Sequence, residues 1–408
     1  MREQGSSGAP SAPLGDLHAL FFLGGASGAA LLPFFALLLK ERGLSPALIG
    51  LVLAVANLAG GLAGPVWGHF ADVGHGKARI LRLSSWASAA AAIAFLPTGS
   101  SLAAIVAAAA LLYACSGAGA PLEDALAVDL LGPGRLGAYG RVRLWASLGW
   151  AIAVVAFGAL YEGTDLALVM PAYAAMALLF GLWTYRLHEA RPAGTVHTGS
   201  RLGAAGATVR AAPKLLPFSA GAFLMSAGWS AALAFLGLRI VGQGGGPFLV
   251  GFAAGLTAVV EIPVMLATGP LGRRIGLRAM YLAGAAVNVA LFSVWALVSD
   301  PTVLAVLASL EGVSFALVYV SQVVLVGRLV PAGLLASGQS LFSGIVRSAA
   351  PIAGILAGGV VFERLGPPAL FAGCAGLVAL GATVVWLVLA GVDAAAGPPH
   401  VAPPPTST

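Results

Sequence analysis

Charge is scarce in this chain. Its 408 residues hold 21 Lys and Arg and 15 Asp and Glu, 9% in all, against 59% hydrophobic residues. A soluble domain carries about 25% charged residues, so a water-facing polar skin around an apolar core is excluded. Cysteine is equally rare. Cys115 and Cys374 have neither CxxC nor paired spacing, which excludes a disulfide framework and leaves packing roles. The six His are scattered and only His69 and His75 lie near each other, so no metal or nucleophile cluster points to an enzyme.

What the chain has instead is apolar length. Mean hydropathy is +0.95. The apolar runs reach about 20 residues or more, enough to cross about 30 Å of hydrocarbon as helices. Twelve such runs can be placed, six before and six after the polar stretch 188–214. The expected architecture is an all-α membrane protein. A tail (1–16) and a bundle of six helices (17–187) precede the 188–214 linker, and a second six-helix bundle (215–391) and a tail (392–408) follow it. Both tails are rich in Ser, Gly or Pro and are expected not to pack. The first apolar run is too long for the core of a signal peptide.

Basic residues are distributed unevenly on this map. Lys40, Arg42, Arg239 and Arg364 fall on one side, Arg347 lies inside a helix, and the other 16 of the 21 fall on the side of the termini and linker. That imbalance predicts cytoplasmic termini and a multi-pass protein of the cell membrane, a bacterial inner membrane. The net charge of +6 then reflects topology, and no nucleic-acid partner is expected.

The loop from Gly68, GHFADVGHGKARIL, and the loop from Gly269, GPLGRRIGLRAMY, occupy the same place in each half. Their spacing resembles the G-x-x-x-D-x-x-G-basic signature of the major facilitator superfamily, whose fold is two pseudo-symmetric six-helix bundles. The resemblance implies a cytoplasmic gate built from Gly68, Asp72, Gly74, Lys77 and Arg79, with Asp72 meeting the basic residues and a helix end. Asp72 could also simply cap the next helix. Arg273 stands where the second copy would have its acid, so the gate is not symmetric.

The stretch GAGAPLEDALAVDLL (117–131) brings three acids, Glu123, Asp124 and Asp129, into an apolar helix. Just after it, Arg143, Ser147 and Trp150 fall at i, i+4 and i+7 and share one helix face. The two segments together resemble the lactose-permease and phenylpropionate-permease-like group within the superfamily. By motif position the resemblance assigns substrate binding to Asp124, Arg143 and Trp150, with Glu123 as the other choice for the acid. Adjacent helical residues point about 100° apart, so at most one of the two acids faces a narrow cavity squarely. A bland reading stays open, because a 21-residue span from residue 102 ends near Leu122 and leaves all three acids at the interface.

The second half adds Glu261, Glu311 and Arg347 well inside apolar runs, where ionisable groups are functional by default. Arg347 is expected to be the counter-ion of Glu261 or Glu311, one of which carries a coupling proton; the alternative is a static pair holding two helices together. The Lys, His and Glu set that the resemblance would lead one to expect on helix 10 is missing, and Glu311 replaces the His that commonly precedes the Gly. On helix 7, Trp229 is a further substrate-binding candidate, with Ser226 and Ser230 beside it.

The expected function is proton-coupled symport of a small polar organic solute, a sugar or an aromatic acid, by alternating access. The alternative is a drug or metabolite exporter working as a proton antiporter. No cofactor is expected beyond the proton gradient; the partners are the solute and the lipid bilayer, and the chain is expected to be a monomer.

Overall fold

The computed structural model describes residues 13–187 and 201–390. Among these are the helices α1 (Leu14–Glu41), α2 (Pro46–Val73), α3 (Lys77–Thr98), α4 (Leu102–Leu131), α5 (Tyr139–Gly163) and α6 (Leu166–Arg186). The second half holds α7 (Leu215–Gly242), α8 (Pro247–Ile275), α9 (Leu277–Leu297), α10 (Pro301–Leu329) and the long stretch Leu335–Val388. That stretch is two helices. Gly366 has φ +84° and is followed by Pro367 and Pro368, so a left-handed residue ends α11 (335–365) and prolines open α12 (367–388). All twelve are long and apolar enough to span a membrane, and the described residues contain no strand. The protein is a multi-pass, all-α membrane protein.

Part of the expected linker is itself helical, Arg201–Ala211; its 188–200 segment and the outer parts of both tails, 1–12 and 391–408, lie outside the described residues. The first helix begins at Leu14, three residues before the expected 17.

Helix starts follow local chemistry. Ser45, Ser101 and Asp300 accept hydrogen bonds from backbone N–H groups of the first turns of α2, α4 and α10. In α2 and α8 the first helical residue is a proline, Pro46 and Pro247, which leaves Ala47 and Phe248 with the next N–H groups. Each is taken by a carboxylate from the opposite half. Ala47 N–H donates to Glu363 Oε2 at 2.8 Å, and Phe248 N–H to Glu162 Oε2 at 2.7 Å. A helix N-terminus carries partial positive charge, so the two contacts form a reciprocal pair of clamps between the halves.

The clamps lie at the end of the bundle away from the linker. There α5 crosses α8 and α2 crosses α11 almost backbone to backbone. A Cβ on Gly158 would stand 2.8 Å from the Pro247 carbonyl oxygen, and one on Gly50 would stand 2.8 Å from that of Ile355. The two halves therefore close on each other at the far end, and the glycine approaches that join them, at Gly50, Gly158, Gly251, Gly255 and Gly359, all lie toward that end.

Four helices are interrupted near mid-span, and in each a neighbouring helix donates to a carbonyl beside the break. Pro33 breaks α1, and the Phe34 N–H turns to Leu31; the Ala30 carbonyl accepts from Tyr161 Oη of α5 at 2.8 Å. In α4 the chain turns at Gly117 and Ala118, and Trp67 Nε1 of α2 donates to the Ala114 carbonyl at 2.8 Å. Ala308 interrupts α10 and accepts from Thr257 Oγ1 of α8 at 2.7 Å. A π-turn, Gly344–Ala349, interrupts α11, where Ser226 Oγ of α7 donates to the Val346 carbonyl at 2.7 Å. Irregular backbone at membrane depth is tolerated only when its polar groups are met in this way.

The repeated loops differ in one informative respect. The left-handed glycines that turn the chain into α3 and α9 are Gly76, φ +80°, and Gly276, φ +83°. Gly76, not Gly74, is therefore the counterpart of Gly276. The first loop has one residue more between Asp72 and its turn glycine than the second has after Arg273, and a π-turn over Ala71–His75 absorbs it.

Candidate functional site

Between the halves lies a cavity of about 810 Å³, walled by α1, α2, α4, α5, α7, α8, α10 and α11. That volume falls within the range of small-molecule sites. Of the residues singled out from the sequence, Glu123, Asp124, Arg143, Ser147, Trp150, Trp229, Glu261 and Glu311 all line it. Ser230 lines it as well, whereas Ser226 is spent on the break in α11.

The three acids of α4 separate as the 100° step between neighbouring residues requires. Asp124 faces the cavity, its Oδ1 3.5 Å from Arg143 Nε, with the two side chains 42% and 48% exposed. Glu123 turns toward α1 and is only 7% exposed; its Oε1 has no hydrogen-bond partner. Asp129, one turn further along, is at the linker end and pairs with Lys77 at the start of α3. The interfacial reading thus holds for Asp129 alone.

Lys77 is engaged by Asp129, and Asp72 stands exposed on the π-turn at the end of α2. Gly68 and Arg79 are half-buried or exposed in the same region, at the linker end. The loop residues expected to form a gate are together at one end of the bundle, yet the acid that meets the lysine comes from α4 and not from the loop itself.

In the second half, Glu311 is 4% exposed and accepts a hydrogen bond from Trp229 Nε1 at 2.8 Å. Glu261 sits at the same level on α8. The backbones of α8 and α10 meet there because residue 312 is glycine: a Cβ would lie 2.9 Å from the Glu261 nitrogen. The expected ion pair with Arg347 is not formed. Arg347 lies on the π-turn of α11, exposed, with its guanidinium 5.6 Å from the centroid of the Tyr319 ring. The π-turn re-aims the side chain, which a regular helical reading of α11 would have pointed elsewhere. Arg143 is instead the cation within electrostatic reach of Glu261 and Glu123.

Three further lining residues escaped the sequence reading: Asn57 of α2, Tyr113 of α4 and Thr257 of α8. Asn57 was the most legible, as a lone amide in an apolar run; its Nδ2 donates to Leu53 O at 2.7 Å and its carbonyl oxygen stays available.

The arrangement of a cavity between two six-helix halves agrees with what is found by comparison. Residues 14–372 match the model of the MFS_1 like family. The chain belongs to that family. It is a membrane transporter of the major facilitator type, and its family and structural neighbours are transporters rather than enzymes. Among curated proteins, this MFS_1-like chain is 28% identical to a maltose permease of Geobacillus stearothermophilus over 338 residues, 82% of this chain and 84% of that one. Among solved structures it is similar to the nucleoside transporter NupG, with a TM-score of 0.79 at 16% identity over 93% of this chain and 99% of that one. The POT family transporter PepTSo is also similar, with a TM-score of 0.74 at 11% identity over 94% and 98%. Both structural likenesses speak for the fold.

Proposed function

We propose that this MFS_1-like transporter is a proton-coupled symporter of a small, neutral, polyhydroxylated solute of sugar type, working by alternating access. The observation that carries this reading is the charge of the cavity. Four carboxyl groups, Glu123, Asp124, Glu261 and Glu311, line it against a single guanidinium, Arg143. An aromatic acid, the other solute class open from the sequence, would bring its own negative charge among them. A sugar brings hydroxyl donors for Asp124 and acceptors for Arg143, and its apolar face can lie on Trp150 with Ser147 alongside. The relative named for maltose points to the same solute chemistry.

Glu261 and Glu311 are the coupling acids in this reading. Intramembrane carboxyls with no directly paired cation mark proton routes, and these two sit side by side at the wall of the cavity. Trp229, which touches Glu311 and lines the cavity, links occupancy by solute to the state of that acid. Arg347 is free to approach only after α11 moves.

The uneven distribution of Lys and Arg assigns the linker end to the cytoplasm of a bacterial inner membrane. The conformation described here is then closed on the outside. One monomer contains the whole cavity, and the proton gradient is the driving force.

The test is external pH in lightly buffered, energy-depleted cells as sugars, nucleosides and aromatic acids are added in separate pools. Alkalinisation by the sugar or nucleoside pool, absent in Glu311→Gln, is the expected result. Alkalinisation by aromatic acids alone would overturn the solute class. Silence from every pool, with drug-driven proton movement in inverted vesicles, would establish the antiport alternative.

A further inference from the structure

Behind Glu123 the structure contains a second recess, about 260 Å³, set in the first six-helix bundle between α1, α3, α4 and α6. It joins the central cavity at Glu123, which lines both. Its polar wall is made of hydroxyls: Ser27 of α1, Ser84, Ser85 and Ser88 of α3, Tyr113 and Ser116 of α4, and Tyr173 of α6. No Lys, Arg or His lines it.

Five of these seven hydroxyls have their hydrogens committed. Ser84 and Ser85 donate to the Leu81 carbonyl at 3.0 and 2.7 Å, and Ser88 donates to the Ser85 carbonyl at 2.8 Å. Ser116 donates to the Tyr113 carbonyl at 3.3 Å, and Tyr173 Oη to Ser88 Oγ at 3.1 Å. A hydroxyl has one hydrogen and two lone pairs, so what these five side chains present to the recess is acceptor oxygen, and Ser27 and Tyr113 add two more hydroxyl oxygens that can turn a lone pair inward. Glu123 adds a carboxylate, buried, with one oxygen lacking any partner.

A buried carboxylate with no cation in direct contact is costly, and the ion pair with Arg143 is made by Asp124 instead. A chamber of oxygen acceptors around a lone carboxylate, closed to basic side chains, is the donor set of a hard monovalent cation that keeps part of its water. We propose that Glu123 and the hydroxyl recess behind it form a sodium-binding site, loaded from the central cavity.

The neighbouring backbone is cut to admit the carboxylate. Gly24 of α1 faces it so closely that a Cβ there would stand 2.7 Å from Glu123 Oε2 and 2.9 Å from Oε1. Any side chain at residue 24 drives the carboxylate out of its place. Glu123 is thus assigned to the cation and Asp124 to the solute. The site also gives a second ion a place to enter the transport cycle, next to the solute and separate from Glu261 and Glu311.

The test needs neither solute nor proton movement, so it stands apart from the symport reading. The full-length protein is purified in detergent and its thermal unfolding followed as sodium chloride replaces choline chloride at fixed pH and ionic strength. A ligand that binds only the folded state raises the midpoint along a saturable curve. The wild type is expected to show that rise with sodium and not with choline, and Glu123→Gln to lose it. Ser88→Ala and Gly24→Ala, which keep the carboxylate in the chain, are expected to raise the half-saturating sodium concentration at least ten-fold. They carry the test if Glu123→Gln does not fold. Equal midpoints in sodium and choline for the wild type would overturn the proposal, as would a sodium response that all three variants retain unchanged. A midpoint that follows pH but ignores sodium would assign Glu123 to a proton instead, and would overturn it equally.

Discussion

Glu162→Ala removes the acceptor for the Phe248 N–H and with it one of the two clamps that close the far end of the bundle. Losing a side-chain cap costs about 1 kcal/mol, and losing a carboxylate from a helix N-terminus about 0.3–1 kcal/mol more. The sum, about 1–2 kcal/mol, falls on the closed-far-end state alone, because the contact joins two halves that separate when that end opens. It corresponds to a shift of about 5–30-fold toward the open-far-end state. Glu162→Gln keeps a neutral acceptor and loses only the ionic part, so about two- to five-fold is expected, less than for Ala. The assay is the labelling rate of a single cysteine, Ile240→Cys, by a membrane-impermeant maleimide added from the far side, with Cys115 and Cys374 replaced. Ile240 lines the cavity and is 0% exposed in the closed form. Glu363→Ala should move the rate in the same direction. A Glu162→Ala rate within two-fold of the parent, or a Glu162→Gln effect as large as that of Ala, would refute the clamp.

Asp124→Asn and Arg143→Gln should each lower uptake at least ten-fold while leaving the protein in the membrane, as measured by transport alongside immunoblots of the membrane fraction. Trp229→Phe deletes the donor to a buried Glu311 oxygen and should destabilise the protein by about 1–3 kcal/mol, whereas Glu311→Gln keeps an acceptor for the indole and should melt near the parent while failing to move protons. Gly76→Ala forces a side chain onto φ +80° and should cost about 1–3 kcal/mol in thermal unfolding; Gly74→Ala should cost less.

The twelve helices were legible because hydrocarbon sets their length and leaves no other way to satisfy the backbone. The polar lining was legible for the same reason: Glu261, Glu311 and Arg143 stand out where charge is expensive. What one sequence could not give was direction. Glu123 and Asp124 differ by one residue and end on opposite tasks, and only the packing of α1, with Gly24, settles which is buried. Arg347, expected to pair with Glu261 or Glu311, is turned toward Tyr319 by a π-turn that is unmarked in the sequence. Gly74 and Gly76 could be told apart only from backbone angles.

The four interrupted helices have a consequence for where mobility is controlled. Each break is held by one donor from another helix, Tyr161, Trp67, Thr257 or Ser226. The acceptor is a main-chain carbonyl, which no substitution can remove. Except in α1, where Pro33 makes the break itself, inheritance of bending is therefore displaced: the helix that flexes can drift in sequence at its own hinge, while the constraint is carried by a side chain one helix away. Ala308, an ordinary helix former at a break, is the clearest case. Variants that alter how readily the bundle rocks are to be sought on α2, α5, α7 and α8 as well as at Pro33.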